Sequence, residues 1–394
     1  MRWASALAVD SNLETAIATA GACVRAELGG GPADLLLAFV SAHHAPAFDR
    51  VPALLGAHCP AGTVLGCGAA GVIGGGHEVE DRPAVALAAA VLPGVEVAAF
   101  HLDPEAPSVP VVPAGAAAPH FVLLADPFTF DAERFVRALD VAFPGSRTVG
   151  GLASAGRHPG AGALFLGQRV HRGGCVGVAL AGDVAVDTIV AQGCRPIGEP
   201  AFVTRCERNL LYELDGRRAA DVLRALFDAA APHERALFRD SLFLGIVMDE
   251  AQQTYRAGDF LIRNLLGLDP RSGALAVGAP LRPGMIVQLH LRDAAASAHE
   301  LRTLLDAHRA RAPGPPAAVL LFSCLGRGVR LYGTPDHDTG LLRAALGDVP
   351  IGGFFCNGEI GPVRGRTFLH GYTSACGLFR PAGYSTNAPL GEPQ

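Results

Sequence analysis

Lysine is absent: all 32 basic residues of the 394-residue chain are arginines. Schiff-base and pyridoxal chemistry and an ordinary Walker-A phosphate loop are therefore closed to it. Acidic residues number 37 and the net charge is −5, so the basic excess of a nucleic-acid binder is missing too. Long apolar runs are lacking. The most apolar stretch, Ala84 to Phe100, holds Pro93 and Glu96 and falls short of the ~18 uninterrupted residues that a bilayer span needs. The Ala-rich start is interrupted by Asp10 and Glu14, with only Arg2 ahead of it, which argues against a secretory leader. Nine cysteines form no Cys-x-x-Cys pair and sit in apolar runs such as Gly174-Cys175-Val176. Reduced core thiols in a cytoplasm are expected, rather than disulfides or zinc. The fourteen histidines contain no His-Glu-x-x-His. No metal or cofactor is expected.

What is present is a half-apolar chain too long for one ordinary domain, with a weak internal repeat. Strands are predicted at Leu35–Val40, Phe121–Ala125 and Val319–Phe322. Each is followed by a helix: Phe48, Val51, Leu54 and Leu55; Phe135, Ala138, Leu139, Ala142 and Phe143; Leu341, Leu342, Ala345 and Leu346. Each helix leads to a glycine-rich bend, at Gly66-Cys67, Gly150-Gly151 and Gly352-Gly353, aligned on Gly66, Gly150 and Gly352. Returning strands follow at Val85–Val91, Leu164–Gly167, Val176–Leu180, Phe368–Tyr372 and Ala375–Phe379. Asp131 is placed to cap the second helix. A helix over 11–28, a hairpin of Ala274–Val277 with Met285–Leu291, and a connector at Pro313–Pro316 complete the reading. The fold class is α/β (mixed α+β), two domains of strand–helix–strand–hairpin units with mixed sheets.

Several motifs have blander readings. Gly66-Cys67-Gly68-Ala69-Ala70-Gly71 matches a dinucleotide fingerprint, but Val72-Ile73-Gly74-Gly75-Gly76 is a poor helix start, so a structural bend is favoured. Asp338-Thr339-Gly340 matches the core of an aspartic protease, yet occurs once; Asp338 is read as a helix cap. Ser154 lies in Gly151-Leu152-Ala153-Ser154-Ala155-Gly156, one residue too long for a nucleophile elbow. The segment Gly352 to Pro362 is richer: Cys356, Asn357 and Glu359 place a thiol, an amide and a carboxylate within four residues. Backbone amides there could face a ligand carboxylate. Asn357-Gly358 is equally a turn signal, and the two readings stand side by side.

At this segment the chain resembles the FIST family of signal-transduction proteins. The resemblance is carried by Ile351-Gly352-Gly353-Phe354 through Gly358-Glu359-Ile360-Gly361-Pro362, and by Phe368-Leu369-His370-Gly371-Tyr372-Thr373. Leu65-Gly66-Cys67, Val149 to Ala153, Gly193 to Gly198 and Leu214-Asp215-Gly216 extend it in the family's order. It implies a FIST N-terminal domain over 30–230 and a C-terminal one over 231–380, with an N-terminal helical segment 1–29 and a tail 381–394. It also implies a sensory module for small ligands such as amino acids. The chain ends at Gln394 with no expected output domain, so a separate signalling protein is expected to carry the message.

The leading expectation is a cytoplasmic sensor of a small polar metabolite. Its site is expected at Gly352, Gly353, Cys356, Asn357, Glu359, His370, Gly150, Gly151, Ser154 and Cys67, facing a crevice between the domains. Glu359 would accept from a ligand amine, Asn357 would bond its polar end, and the Gly352–Gly353 amides would face a carboxylate. Gly151→Val is expected to damage folding. Two alternatives stay open: a thiol enzyme using Cys356 or Cys67 with His370 as base, and a protein-binding scaffold like F-box-associated relatives. A symmetric homodimer is the default assembly.

Overall fold

A computed structural model describes residues 1–104, 109–113 and 118–384; of the expected tail, 385–394 lies outside the described residues. The chain begins with strand β1 (Arg2–Val9), helix α1 (Leu13–Glu27) and strand β2 (Ala33–Ser41). A 3-10 turn and α2 (Val51–His58) lead to β3 (Ala61–Ala69), β4 (Gly71–Gly74), β5 (His77–Glu80) and β6 (Ala84–Val91). The order then recurs: β7 (Val95–Leu102), β8 (His120–Ala125), α3 (Ala132–Ala142), β9 (Thr148–Leu152), β10 (Leu164–Leu166), β11 (Arg169–His171) and β12 (Cys175–Gly182). A third round starts at β13 (Ala185–Ala191) and is interrupted. The interruption comprises β14 (Cys194–Glu207), β15 (Leu210–Leu214), β16 (Arg217–Arg218), α4 (Ala219–Ala229), α5 (Pro232–Asp240), β17 (Leu242–Val247), β18 (Phe260–Leu268), β19 (Leu275–Val277) and β20 (Ile286–Arg292). After α6 (Ala294–Arg311) the round resumes with β21 (Ala318–Cys324), α7 (Val329–Tyr332), α8 (His337–Leu346), β22 (Ile351–Cys356), β23 (Glu359–Val363), β24 (Arg366–His370) and β25 (Ser374–Arg380).

The three rounds build three six-stranded sheets of one design. A parallel pair lies at the centre of each: β2 with β3, β8 with β9, β21 with β22. On one side an antiparallel strand (β6, β12, β25) and an edge strand (β1, β7, β13) follow. On the other side sits a hairpin, and it comes from a different round. Hairpin β4–β5 of the first round joins β22, β10–β11 of the second joins β3, and β23–β24 of the third joins β9. The hairpins are thus exchanged in a ring.

Period-two alternation along each central strand feeds two layers. Leu35, Leu37 and Phe39 of β2 share an inner cluster with Val122 and Leu124 of β8 and Leu320 and Phe322 of β21. Leu36, Ala38 and Val40 point the other way, onto Leu13, Ile17, Ala20 and Val24 of α1 and Leu55 of α2. A fully buried aliphatic side chain contributes about 1.5–3 kcal/mol, so this helical stripe suffices to dock α1. Asn12 caps α1 by accepting from the amides of Glu14 and Thr15, and Asp131 caps α3 by accepting from Arg134. The cap expected at Asp131 is therefore present, and the helix expected at 11–28 is α1.

Packing divides the chain into two units that do not follow a single cut. Unit 1 comprises Met1–Val190, Arg302–Leu369 and Thr373–Gln394; unit 2 comprises Ala191–Leu301 and His370–Tyr372. All three rounds pack in unit 1, so the packing units cut across the expected division of two copies in one domain and the third in another. Unit 2 is an insertion into the third round, a seven-stranded sheet ordered β14-β20-β17-β18-β19-β15-β16. Leu244, Ile246, Val287 and Leu289 on one of its faces cluster with Ala219, Leu223 and Leu226 of α4. The expected hairpin of Ala274–Val277 with Met285–Leu291 does not form. Strand β19 pairs with β15 and β18, whereas β20 pairs with β14 and β17.

Candidate functional site at the junction of the three rounds

The glycine pairs are not bends. Gly66, Gly150 and Gly353 lie inside the second strand of each parallel pair, opposite Ala38, Leu123 and Leu321. A Cβ at these glycines would stand 2.2, 1.9 and 1.8 Å from the facing carbonyl oxygen of Ala38, Leu123 and Leu321. At Gly150 and Gly353 the φ angles, 156° and 157°, also disfavour an L side chain. The repeat therefore aligns on Gly353 rather than Gly352. Gly353 has strand neighbours on both sides, so the backbone there is committed to the sheet and does not face a ligand carboxylate. Gly352 packs against Ala88, 2.7 Å from where its Cβ would be.

Just beyond these strands the chain passes from one sheet to the next, and the three crossings meet. Ser154 joins all of them. Its hydroxyl accepts from the Ala70 amide at 2.9 Å and donates to the Phe355 carbonyl at 2.5 Å. The amides of Ser154 and Ala155 reach the Gly68 carbonyl at 3.3 Å. Asn357 donates its side-chain amide to the Ala153 carbonyl at 3.1 Å and its backbone N–H to Leu152, while Leu152 donates to Gly358. Asn357-Gly358 is thus a crossing between sheets, and the hairpin reading fails because β22 and β23 belong to different sheets. Gly151 lacks space as expected: its Cβ would lie 2.4 Å from the Cys356 sulfur.

Glu359 is the unexpected residue. It lies in β23, fully buried, not in an open loop. Its Oε2 accepts from the Thr373 hydroxyl at 2.6 Å and amide at 3.1 Å, whereas Oε1 is buried without a hydrogen-bond partner. Burial pushes its pKa up to about 8, against the pull of the Thr373 bonds and the Arg327 charge. Cys67 and Cys356 are buried in the inner cluster, and burial holds both thiols well above their ordinary pKa. Such thiols stay protonated at neutral pH, which speaks against the thiol-enzyme reading. His370 ends β24 and is buried; it is assigned to unit 2.

Sequence reasoning missed Arg327, the largest side chain wholly out of solvent. It follows β21 in Cys324-Leu325-Gly326-Arg327-Gly328, and a charged residue framed by glycines after an apolar strand was the available signal. Its Nε and one terminal nitrogen grip Asp338 at 2.8 and 3.1 Å, and the Tyr332 hydroxyl lies 2.7 Å away. Asp338 is therefore an ion-pair partner and not the expected cap; Asp336 holds the N-cap position. Burial alone would raise Asp338, but Arg327 and His337 more than offset it and hold the carboxyl well below its usual range. Beside them Glu78 on β5 accepts from the Thr339 amide at 2.8 Å, and burial with the Asp338 charge lifts it to about 7. The first round's hairpin thus delivers an acidic group to the end of the third round's parallel pair.

Comparison with known proteins fits this chain. The FIST N domain model matches residues 34–217 and the FIST C domain model residues 219–362. An uncharacterized protein of Mycobacterium tuberculosis strain ATCC 25618 / H37Rv is 40% identical over 385 residues, 96% of this chain and 100% of that protein. An uncharacterized protein of Mycobacterium bovis is 38% identical over 372 residues, 93% of this chain and 95% of its own. The chain belongs to the FIST family. The two family models meet near residue 218, inside unit 2, so the sequence boundary and the packing boundary of this FIST protein differ. FIST domains are generally regarded as small-ligand-binding sensory domains in signal transduction. In this FIST protein no group of three or more His, Cys, Asp or Glu among the described residues is placed to hold a metal. No helix among them is long and apolar enough to cross a membrane.

Proposed function

We propose that this FIST protein senses a small, amine-bearing metabolite such as an amino acid in the cytoplasm and reports it to a separate signalling protein. The observation that carries the reading is the Glu359 carboxyl, with one oxygen saturated by Thr373 and the other buried without a partner. A buried acceptor left unmade costs roughly 1–3 kcal/mol, so a donor that satisfies it gains that much in addition to its other contacts. Arg327 lies close enough to lower the Glu359 pKa. Access would come through the segment after β21, where Gly328, Gly333 and Asp336 take left-handed φ values of 60°, 73° and 59°. Asn357, exposed at the crossing, is the proposed contact for the ligand's polar end.

The charge logic fixes a pH dependence. A cationic amine favours ionised Glu359, so binding releases a proton below pH 8, and affinity should rise as pH is raised from 6 to 8. Thermal shift against a panel of amino acids and amines at pH 8 tests the reading. A ligand present at 100 times its Kd stabilises by about 2.7 kcal/mol. Glu359→Gln should remove that response. A broad panel with no shift, or a shift unchanged in Glu359→Gln, would sink the assignment.

A further inference from the structure

Unit 2 holds a partly buried cation, two of whose nitrogens have no acceptor. Arg292 ends β20 in unit 2, directly opposite Cys194 of β14. Its Nε and one terminal nitrogen are buried and have no hydrogen-bond acceptor. The neighbouring carboxylates are engaged elsewhere. Glu234 lies 2.5 Å from Arg195, and Asp293 lies 3.9 Å from Arg195 while accepting from the amides of Ala295 and Ala296. What the guanidinium touches instead is aromatic: the Tyr372 ring at 5.1 Å and the Phe243 ring at 5.9 Å. Cation–π contact offsets only part of the cost of desolvating a charge.

Two further features converge there. Tyr372 takes φ 66°, a left-handed conformation that is a true outlier for a bulky side chain, and is held in it by a hydrogen bond to Asn264 and by its ring 4.1 Å from Phe243. His290, two residues before Arg292 and so on the same face of β20, is fully buried. Its Nδ1 faces the Gln288 carbonyl at 3.0 Å, which leaves Nε2 as an acceptor without a partner. Gly245 makes room for that ring, since a Cβ there would meet it at 2.4 Å.

We infer that Arg292 anchors a binding site for a small organic carboxylate on this face of the seven-stranded sheet. The planar fork of the guanidinium matches a carboxylate in two parallel hydrogen bonds. Phe243 and Tyr372 contact the apolar body of the ligand, and the acceptor on His290 receives its hydroxyl or amine hydrogen. The site lies outside unit 1 and does not rest on the role given to Glu359.

Calorimetric titration of the full chain with propionate, benzoate and inorganic phosphate tests the assignment, with melting temperatures recorded in parallel. A carboxylate should bind wild type and Glu359→Gln alike, and bind Arg292→Gln at least tenfold more weakly. Arg292→Met should melt higher than wild type without any probe, because two buried donors without acceptors have been removed, and should ignore both carboxylates. Should Arg292→Met fail to fold, Arg292→Lys keeps the charge without the fork and should bind at least tenfold more weakly. Equal carboxylate affinity in wild type and Arg292→Gln would overturn the proposal. So would a response to phosphate alone, or the absence of carboxylate binding together with a lower melting temperature for Arg292→Met, which would make the guanidinium a structural prop.

Discussion

The crossings in unit 1 and the Arg292 face of the unit 2 sheet treat buried polarity differently. At the unit 1 junction Ser154, Asn357, Arg327 and Asp338 are bonded to backbone or to one another, and Glu359 retains a single unmatched oxygen. Glycine removes every side chain that would keep the strands apart there. On one face of the unit 2 sheet, by contrast, Arg292 and His290 each bury an atom that nothing satisfies. Close packing at a junction consumes hydrogen-bonding capacity, whereas an inserted sheet can hold it in reserve. Reserve of that kind is costly in stability and is usually retained for a ligand.

The sharpest way to break this comparison is to add a methyl group to each region. Gly150→Ala or Gly353→Ala places a Cβ within 2 Å of a carbonyl oxygen, and the expected loss of about 4–5 kcal/mol or more should abolish soluble folding. Gly267→Ala in β18 meets nothing within 4 Å and should stay within about 1 kcal/mol of wild type in urea unfolding. Similar effects at the two places would end the distinction. Next in size is the buried ion pair. Asp338→Ala leaves Arg327 without its partner and should cost about 3–5 kcal/mol.

The pH response of unit 1 ranks third. The Glu359 pKa is raised to about 8 in the folded chain, so the folded state holds a proton that the unfolded state has lost. The stability it contributes is complete below pH 4.5 and disappears as pH rises to 8. The slope should reach about 1.4 kcal/mol per pH unit, with Glu78 adding to it up to about pH 7. Glu359→Gln should flatten the urea midpoint between pH 5 and 8; an unchanged slope would mean that Glu359 is ionised in the fold. The smallest effect is expected at an ordinary surface feature, the α3 cap, where Asp131→Ala should cost about 1 kcal/mol.

The strands and helices of the repeat were legible because each alternates or recurs at its own period. What could not be read was which strand pairs with which. Hairpin β4–β5 carries no local mark of its partner β22, since strand pairing is a contact between distant segments. The third copy was aligned one residue early because Gly352 and Gly353 are identical in sequence, and only the carbonyl of Leu321 distinguishes them. Strand β1 went unread because three of the eight residues of Arg2–Val9 are alanine, which favours helix. Glu359 was assigned to an open loop because an acid among glycines usually lies in one, and Asp338 to a cap because its partner Arg327 sits eleven residues upstream. Of the ten expected site residues, Ser154, Asn357, Gly151, Cys356 and Glu359 do meet near the crossings, with Ser154 and Asn357 tying the sheets together.

The exchanged hairpins set a timetable for biosynthesis. Strands β10–β11 and β23–β24 emerge from the ribosome after the sheets they complete, and can add to an existing edge. Strand β4 cannot. Ile73 pairs with Gly353, roughly 280 residues later, which at about 5–20 residues per second is about 14–56 s of waiting. For that interval Val72 and Ile73, both wholly buried in the finished protein, present an apolar strand paired only with β5 and open along its other edge. A nascent chain halted before residue 351 keeps that edge permanently bare, so truncated products of this gene should be cleared or aggregate while the full-length chain closes its ring.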